Sequence, residues 1–207
     1  MNSAKIRSEA QRRGITSLYH FTPFPNLESI LVNGLISTRI LEQHQAAYFY
    51  TDDWRNDGQP DAVSFSIHDI NRSMFSKKLR TSRCTWAVLE VDASILWTHS
   101  CRFCWVNASS AEIVNHSGFI GGPWAFKEMF ADRAVSASDK RSFREVYDVP
   151  DNTPTMNDAE VQILEPVGPE LIRDVTLARE SHRTAAESAM KAAERVLPIA
   201  VAPEVFT

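Results

Sequence analysis

The chain has 207 residues, 43% of them hydrophobic and 23% charged, so it is long enough to bury a core as a single soluble domain. Its net charge of −4 argues against an enzyme that holds nucleic acid by bulk positive charge, so any such contact must be local. The three cysteines argue against a disulfide-stapled secreted scaffold, and no stretch approaches the roughly 18 apolar residues of a membrane helix. We therefore expect a cytoplasmic protein that has no membrane partner.

The N-terminal part is predicted to form a helix and then a strand. Helix formers over residues 3–13 end at a glycine, which predicts an N-terminal helical arm over residues 1–14. β-formers alternate over Ile15–Thr22 before a proline-containing segment, which predicts a strand with His20 near its end. Asn26 then stands where a residue commonly caps the next short helix.

A polar loop and two further strands are predicted next. Residues 51–60 are polar and turn-rich, and Arg55 falls inside this loop. The segments Ala62–Ile67 and Trp86–Val91 have the composition and period of half-buried strands. Between them, residues 72–83 contain five positive charges, which form a local basic patch in an otherwise acidic chain.

A carboxylate stands at the beginning of a later predicted strand. A turn-rich stretch over residues 149–158 leads into the strand Ala159–Leu164. Alternation along this strand places Glu160, Gln162 and Leu164 on one face and Val161 and Ile163 on the other. We therefore expect one carboxylate held at the start of a strand.

The remaining pattern predicts a mixed α+β class. The pattern over residues 107–147 predicts loop and helix. Residues 179–207 are predicted to form an exposed helix followed by a final strand. The sequence has no internal repeat and no clear linker. We expect one domain over residues 1–207, built on a central, largely antiparallel β-sheet flanked by helices.

Each candidate residue also has an ordinary structural interpretation. A histidine at a strand end is commonly a satisfied core residue, and an arginine in a loop is commonly solvated. An acid in an apolar strand can simply face solvent. Spacing alone therefore leaves the roles of His20, Arg55 and Glu160 open.

The motifs around these residues resemble those of one family. Leu18–Thr22, followed by Asn26–Leu31 and Asn33–Ser37, resembles the opening signature of the DarT family of DNA ADP-ribosyltransferases. The resemblance spans roughly residues 16–205. The other segments that carry it are Trp54–Arg55, Asp61–Ile67, Asn71–Phe75, Trp86–Asp92, Ile95–Trp97, Cys101–Cys104, Asn107–Ala108, Asp158–Val161 and Pro169–Ile172.

This resemblance implies a fold, an enzyme class and a co-substrate. The implied fold is that of ADP-ribosyltransferases, in which the central sheet is split, and the implied class is the glycosyltransferases, specifically the pentosyltransferases. NAD⁺ is the implied co-substrate, and no metal is expected. The resemblance further implies that His20, Thr22 and Asn26 contact NAD⁺.

The chemistry of ADP-ribosyl transfer explains the residue types. The bond between nicotinamide and ribose breaks through a transition state in which the ribose resembles an oxocarbenium cation. A cation must therefore hold the diphosphate, and a carboxylate must stabilise the sugar and orient the acceptor. By resemblance, Arg55 is the catalytic arginine, which also contacts NAD⁺, and Glu160 is the catalytic glutamate. Arg39 and Arg72 remain alternatives to Arg55, because loop lengths vary in this part of the family.

The resemblance also implies a nucleic-acid substrate and a protein partner. Family members modify thymine or guanine in single-stranded DNA, as toxins or in phage defence, and a macrodomain antitoxin of the DarG type removes the mark. We expect the antitoxin to be a separate chain. We place the DNA strand on the basic run, with Arg72, Lys77 and Lys78 near phosphates and Phe75 stacking on bases. A solvated hairpin is the alternative interpretation of this run.

Other interpretations remain open. The acceptor could be RNA or protein, or the chain could be a catalytically inactive nucleic-acid-binding homologue. Cys101 and Cys104 have the spacing of half a zinc site, but few residues could complete it, so we expect buried thiols. Asp57, Asp61 and Glu160 could suggest a glycosidase or nuclease, although their spacing is not typical of either. A serine hydrolase would need a nucleophile motif that the sequence lacks.

Overall fold

The computed structural model describes residues 2–46, 48–49, 57–82 and 84–207. The strands are β1 (Ser17–Pro23), β2 (Val63–Ile67), β3 (Trp86–Asp92), β4 (Cys101–Cys104), β5 (Glu160–Ile163), β6 (Ile172–Leu177) and β7 (Ile199–Val201). The helices are α1 (Asn2–Arg12), α2 (Leu27–Asn33), α3 (Thr38–Gln43), α4 (Arg72–Thr81), α5 (Ile95–Thr98), α6 (Ala111–Val114), α7 (Pro123–Glu128), α8 (Phe143–Val146) and α9 (Arg183–Ala192). Among the described residues, no helix combines the length and the apolar character needed to cross a membrane.

Within the described part of the chain, seven strands form one sheet. Their order is β4-β5-β2-β1-β3-β6-β7. Neighbouring strands are antiparallel except β6 and β7, which run parallel. The predicted α+β class with a central, largely antiparallel sheet is therefore confirmed.

The sheet buries apolar side chains on both faces, because successive residues of a strand point to opposite sides. On one face, Leu18, Leu89 and Val161 belong to the main core, to which α1, α2, α7 and α9 also contribute. On the other face, Phe75 and Trp86 form a smaller core beneath α4. Each fully buried leucine, valine or phenylalanine contributes about 1.5–3 kcal/mol relative to an exposed one. The two cores fix the positions of the strands that carry the candidate residues.

Helix α1 ends as the sequence predicts. Gly14 follows it with a φ of 69°, a conformation that glycine adopts without strain. Ile6 and Ala10, which lie four residues apart on one helical face, are buried against the main core. Arg13 forms a 2.7 Å ion pair with Asp151 in the loop that leads towards β5. The helical arm is thus tied to the loop that precedes Glu160.

Strands β1 and β2 pair over a short distance and then separate. They pair at Leu18 with Ile67 and at Tyr19 with Ser66, whereas β3 follows β1 along its whole length. Beyond this point the His20 side chain, rather than the β1 backbone, bonds the β2 carbonyl of Ser64. The sheet is therefore split between β1 and β2.

Some elements differ from the predictions. Strand β1 begins at Ser17, so His20 lies in its middle rather than near its end. The basic run forms helix α4 rather than a hairpin, and Asn71 caps it by accepting from the Met74 N–H at 3.0 Å. Strand β4 was not predicted, because four residues give too little periodicity. The helix predicted within residues 179–207 is α9, and the final strand is β7.

Candidate active site

A cleft of about 1020 Å³ opens where β1 and β2 separate. Residues 19–23 of β1 and 63–66 of β2 line it, and residues of α2, α3 and α4 border it. Asn107, Asp158 and Glu160 also line the cleft. This volume is at the upper end of the range for ligand-binding sites, and it is sufficient for a dinucleotide.

Glu160 is the first residue of β5 and is 7% exposed. Its Oε1 accepts hydrogen bonds from the Asn107 side-chain amide at 2.8 Å and from the Ala108 main-chain N–H at 3.5 Å. The Asn107 amide is itself oriented, since its Oδ1 accepts from the N–H and hydroxyl of Ser109 at 3.0 and 2.5 Å. The carboxylate is therefore held in one orientation at the cleft.

The alternation predicted for this strand is confirmed. Val161 and Ile163 are fully buried in the main core, whereas Gln162 shares the face of Glu160. Gln162 accepts a hydrogen bond from Arg102 at 2.6 Å and donates one to Asp57 at 2.6 Å. A chain of hydrogen bonds thus connects the buried strand to Asp57, which lines the cleft. The sequence analysis did not predict these hydrogen bonds, because they join residues that are far apart in sequence.

His20 lines the cleft from the middle of β1. Its Nδ1 lies 2.9 Å from the Ser64 carbonyl oxygen, which can only accept, so Nδ1 carries a proton and donates it. Burial lowers the pKa of His20 below its ordinary value, and the bond to Ser64 opposes this more weakly. The ring is therefore neutral near pH 7, and its Nε2 can accept a hydrogen bond.

Thr22 and Asn26 line the same cleft. The prediction that Asn26 caps a helix is wrong, because its backbone is already helical and its side chain makes no capping bond. Its amide instead bonds the backbone of Phe49, accepting from the N–H at 2.8 Å and donating to the carbonyl at 2.7 Å. The same amide donates to the Thr22 hydroxyl at 3.3 Å. Asn26 therefore holds the chain at residue 49 against the cleft wall.

The predicted catalytic arginine, Arg55, lies outside the described residues. Both alternative arginines form exposed ion pairs, Arg39 with Asp61 at 2.8 Å and Arg72 with Asp69 at 2.8 Å. Neither of them lines the cleft as it is formed by the described residues. The structure thus gives no reason to assign the role of catalytic arginine to Arg39 or Arg72 instead of Arg55.

Helix α4 borders the cleft and carries the residues that were expected to bind nucleic acid. Lys77 and Lys78 line the cleft. Arg72 does not, and its guanidinium donates to the carbonyls of Glu204 and Val205 at 3.2 and 3.1 Å. Only part of the basic run therefore faces the cleft.

The expectation that bases stack on Phe75 is wrong. Phe75 is 1% exposed, and its ring packs edge-on against Trp86 and Phe206, each with a centroid distance of 5.6 Å. It also packs against Phe21 at 4.8 Å. Phe75 is a core residue that holds α4 on the sheet.

Two buried donors that no sequence pattern indicated also line the cleft. They are the Ser37 hydroxyl and the Trp86 indole N–H, and neither has a hydrogen-bond partner among the described residues. The two residues are 4% and 3% exposed. An unpaired buried donor costs about 1–3 kcal/mol. A polar ligand in the cleft would remove that cost.

The interpretation of Cys101 and Cys104 as buried thiols is confirmed. Burial raises the pKa of each thiol to about 12. Both therefore stay protonated and unreactive at neutral pH. In the part of the chain that the structure describes, no group of three or more His, Cys, Asp or Glu residues is placed to hold a metal ion.

Comparison with known proteins gives one family match. A family model described as ssDNA thymidine ADP-ribosyltransferase, DarT, matches residues 19–207. No curated protein matches the chain.

Solved structures show a similar fold. The chain is similar to Thermus sp. 2.9 DarT in complex with NAD⁺, with 12% identity, a TM-score of 0.59, and coverage of 93% of this chain and 98% of that chain. It is also similar to Thermus sp. 2.9 DarT in complex with ADP-ribosylated ssDNA, with 11% identity, a TM-score of 0.62, and coverage of 94% and 97%.

A third similar structure is Thermosipho africanus DarTG in complex with ADP-ribose, at 15% identity and a TM-score of 0.61. The match covers 92% of this chain and 51% of that chain, so the chain spans about half the length of that relative. At such identities the likeness shows the fold alone. The predicted ADP-ribosyltransferase-like fold is confirmed.

Proposed function

The chain belongs to the DarT family of ssDNA thymidine ADP-ribosyltransferases, and on this premise we propose that its cleft binds NAD⁺ and transfers ADP-ribose to a base in single-stranded DNA. The observation that carries the proposal is the buried Glu160 carboxylate, which Asn107 orients in the same cleft that His20 lines. A buried acid held by a side-chain amide at a cleft is typical of a catalytic group.

In the proposed reaction Glu160 has two roles, since it stabilises the positive sugar and accepts a proton from the base. The bond between ribose C1′ and the nicotinamide nitrogen breaks, and its electron pair leaves with neutral nicotinamide. C1′ bonds to a nitrogen of the base, and the proton on that nitrogen passes to the Glu160 carboxylate. While neither bond is complete, the negative charge of Glu160 stabilises the positive sugar. The bond from Asn107 keeps the carboxylate from having to reorient during transfer.

We assign the NAD⁺ contacts to groups of the split sheet. The neutral His20 ring has its Nε2 available to accept from a ribose hydroxyl, and Thr22 and Asn26 line the same cleft. Arg55 is assigned to the diphosphate, since phosphate recognition favours a guanidinium. The Ser37 hydroxyl and the Trp86 indole N–H, which have no partner among the described residues, suit the phosphate and carboxamide oxygens of NAD⁺. The donor set of the cleft therefore fits a polar dinucleotide.

The acceptor we propose is thymine in single-stranded DNA, in line with the description of the family. Lys77 and Lys78 line the cleft and are the proposed phosphate contacts, with Arg72 at its margin. We further propose that the chain acts as a cytoplasmic toxin in a toxin–antitoxin or phage-defence system, restrained by a DarG-type macrodomain partner. The whole of residues 1–207 acts as one domain in this proposal, since the main core includes residues from α1 through α9.

The test is transfer of label from NAD⁺ to defined oligonucleotides. We expect labelling of single-stranded DNA that contains thymine, and we expect Glu160→Gln to reduce the rate by at least about 100-fold. Glu165→Gln is the matched control. It removes a carboxylate that lies two residues after the end of β5 and accepts from Ser100 outside the cleft, so it should retain activity. Thermal unfolding of each variant checks that the fold is intact.

The other acceptors are outcomes of the same experiment. Labelled RNA or protein, with unlabelled DNA, would overturn the proposed acceptor while keeping the enzyme class. Failure of the wild type to consume NAD⁺ with any acceptor would favour the inactive nucleic-acid-binding homologue.

A further inference from the structure

Gln162 is a buried polar residue beside the candidate catalytic carboxylate. It follows Glu160 by two residues on the same face of β5, which places it about 7 Å along the strand. The residue is 0% exposed, and an amide buried to this extent is costly unless both of its ends are hydrogen-bonded. Its direct neighbour in β2 is Ser64, which lines the cleft and whose carbonyl accepts from His20. Gln162 therefore adjoins both Glu160 and the backbone that holds His20.

The orientation of the Gln162 amide is determined by Arg102, its direct neighbour in β4. An arginine side chain can only donate, so the end of the amide that lies 2.6 Å from the guanidinium is the oxygen Oε1. The nitrogen Nε2 then faces the other way, where it donates to the Asp57 carboxylate at 2.6 Å. Rotating the amide by half a turn would break both bonds. The buried side chain thus presents a fixed donor to Asp57.

Both oxygens of the Asp57 carboxylate are held. Oδ2 accepts from Gln162, and Oδ1 accepts from the main-chain N–H of Gln59 at 3.1 Å. Asp57 lines the same cleft as Glu160. A carboxylate that is bonded through both oxygens is already oriented before a substrate binds. The cleft therefore contains a fixed carboxylate in addition to that of Glu160.

The charges of these two carboxylates act on the same buried thiol. Cys104 pairs directly with Glu160 across the strands, and its Sγ lies 4.0 Å from the Gln162 oxygen. Burial raises the pKa of the Cys104 thiol to about 12, and the negative charges of Glu160 and Asp57 contribute to this rise. Two charges that both act on one neighbouring group are close enough to act together on a substrate between them.

We propose that Gln162 is a positioning residue for ADP-ribosyl transfer, and that the Asp57 carboxylate it holds adds to the charge of Glu160 in stabilising the positive sugar. This inference rests on the proposed function. A charge that is oriented in advance stabilises a transition state without having to reorganise during the reaction. Asp57 forms no covalent bond in this proposal, and the proton of the base still passes to Glu160.

The first test neutralises Asp57. Asp57→Asn keeps the size of the side chain and an oxygen that can accept from Gln162, but it removes the charge. We expect kcat for transfer to fall about 5- to 20-fold. The Kd for NAD⁺, measured by calorimetry, should not rise, because NAD⁺ carries a net negative charge and the variant removes a charge of the same sign. Asp57→Glu keeps the charge and should retain most of the activity.

Asp61→Asn is the matched control for this charge. It removes a carboxylate from the same segment, but Asp61 is half exposed, pairs with Arg39 and does not line the cleft formed by the described residues. We therefore expect its kcat to equal that of wild type. Thermal unfolding of each variant separates a loss of turnover from a loss of folded protein.

The second test asks whether Gln162 acts through Asp57. Gln162→Met has a similar size and makes neither hydrogen bond, so it should lower kcat by a factor similar to that of Asp57→Asn. In the Asp57→Asn background, the same change should lower kcat less than about twofold, because the effects of coupled residues are not additive. Gln162→Glu keeps the acceptor for Arg102 and loses the donor to Asp57. It should also lower kcat, and it replaces Gln162→Met if that variant does not fold.

A kcat of Asp57→Asn equal to that of wild type would overturn the role of this charge. Equal losses from the Gln162 variant in the two backgrounds would overturn its action through Asp57. The proposed function fails by a different result, since wild-type protein that consumes NAD⁺ without labelling DNA would overturn its acceptor. The same variants are then compared on NAD⁺ hydrolysis, which also passes through a positive sugar.

Discussion

In the proposed reaction, Asn107 positions the Glu160 carboxylate. Its amide is fixed by Ser109 and donates at 2.8 Å to the carboxylate. Because Asn107 acts through Glu160 in this account, it is a positioning residue. Its loss should therefore affect turnover more than substrate binding.

Asn107→Ala is expected to lower kcat for transfer about 10- to 100-fold, with little change in KM for NAD⁺, because one hydrogen bond to a charged group is removed. Asn107→Asp should also shift the pH–rate profile to higher pH, because it places a second acid beside Glu160. A kcat unchanged in both variants, with an unshifted pH profile, would remove Asn107 from the mechanism.

His20 gives the protein a pH dependence of stability. Burial lowers the pKa of the folded-state ring below its ordinary 6.5. As the pH falls through about 6.5, the unfolded chain takes up a proton on this ring while the folded chain does not. Acidification therefore favours the unfolded state, and the stability contributed by the neutral ring is lost below that pH.

His20→Gln is expected to reduce the loss of free energy of unfolding between pH 7.5 and 5.5. Urea titrations at several pH values measure this slope. His68→Asn is the control, since His68 is exposed and lies at a φ of 70°, which asparagine tolerates. Identical slopes for wild type and His20→Gln would show that the His20 proton is not linked to folding.

At the residue scale, the sequence identified some roles and missed others for a clear reason. The face of Glu160 followed from alternation, because Val161 and Ile163 had to be buried. The role of Asn26 did not follow, because its partner Phe49 lies 23 residues away. Local patterns cannot reveal such contacts.

At the scale of elements, α4 is the part whose predicted role changed most. The basic run was expected to bind DNA as a whole. In the structure one face of the helix lines the cleft through Lys77 and Lys78, while Phe75 anchors the helix to the sheet. The anchoring ring Phe206 lies 131 residues further along the chain, so the sequence around Phe75 gave no sign of its burial.

Lys77→Ala is expected to weaken binding of single-stranded DNA and to reduce the slope of log Kd against log salt by about 0.7, the value for one phosphate contact. Arg80→Ala is the control, because Arg80 is exposed on the same helix and does not line the cleft. A salt slope equal to that of wild type would mean that Lys77 does not contact a phosphate.

Other elements were predicted to different degrees. Helix α1 and strands β2 and β3 followed from composition and periodicity and lie within a few residues of their predicted bounds. Strand β4 was not predicted, because its four residues are too few to show a strand period. These four residues form a strand because they pair with β5, which is far away in sequence.

At the scale of the whole molecule, the order of the strands determines the site. Glu160 on β5 and His20 on β1 line one cleft because β2 lies between these strands and separates from β1. No local pattern specifies that order. The family resemblance predicted the split sheet, and the match of residues 19–207 to the DarT family confirms that resemblance.

Mass spectrometry of nucleosides from single-stranded DNA incubated with NAD⁺ and the protein would show whether Glu160 transfers ADP-ribose to a base. We expect an ADP-ribosyl adduct of thymidine with the wild type and at least about 100-fold less of it with Glu160→Gln. The absence of any nucleoside adduct with active, NAD⁺-consuming wild type, or equal amounts of adduct from the two proteins, would contradict this role of Glu160.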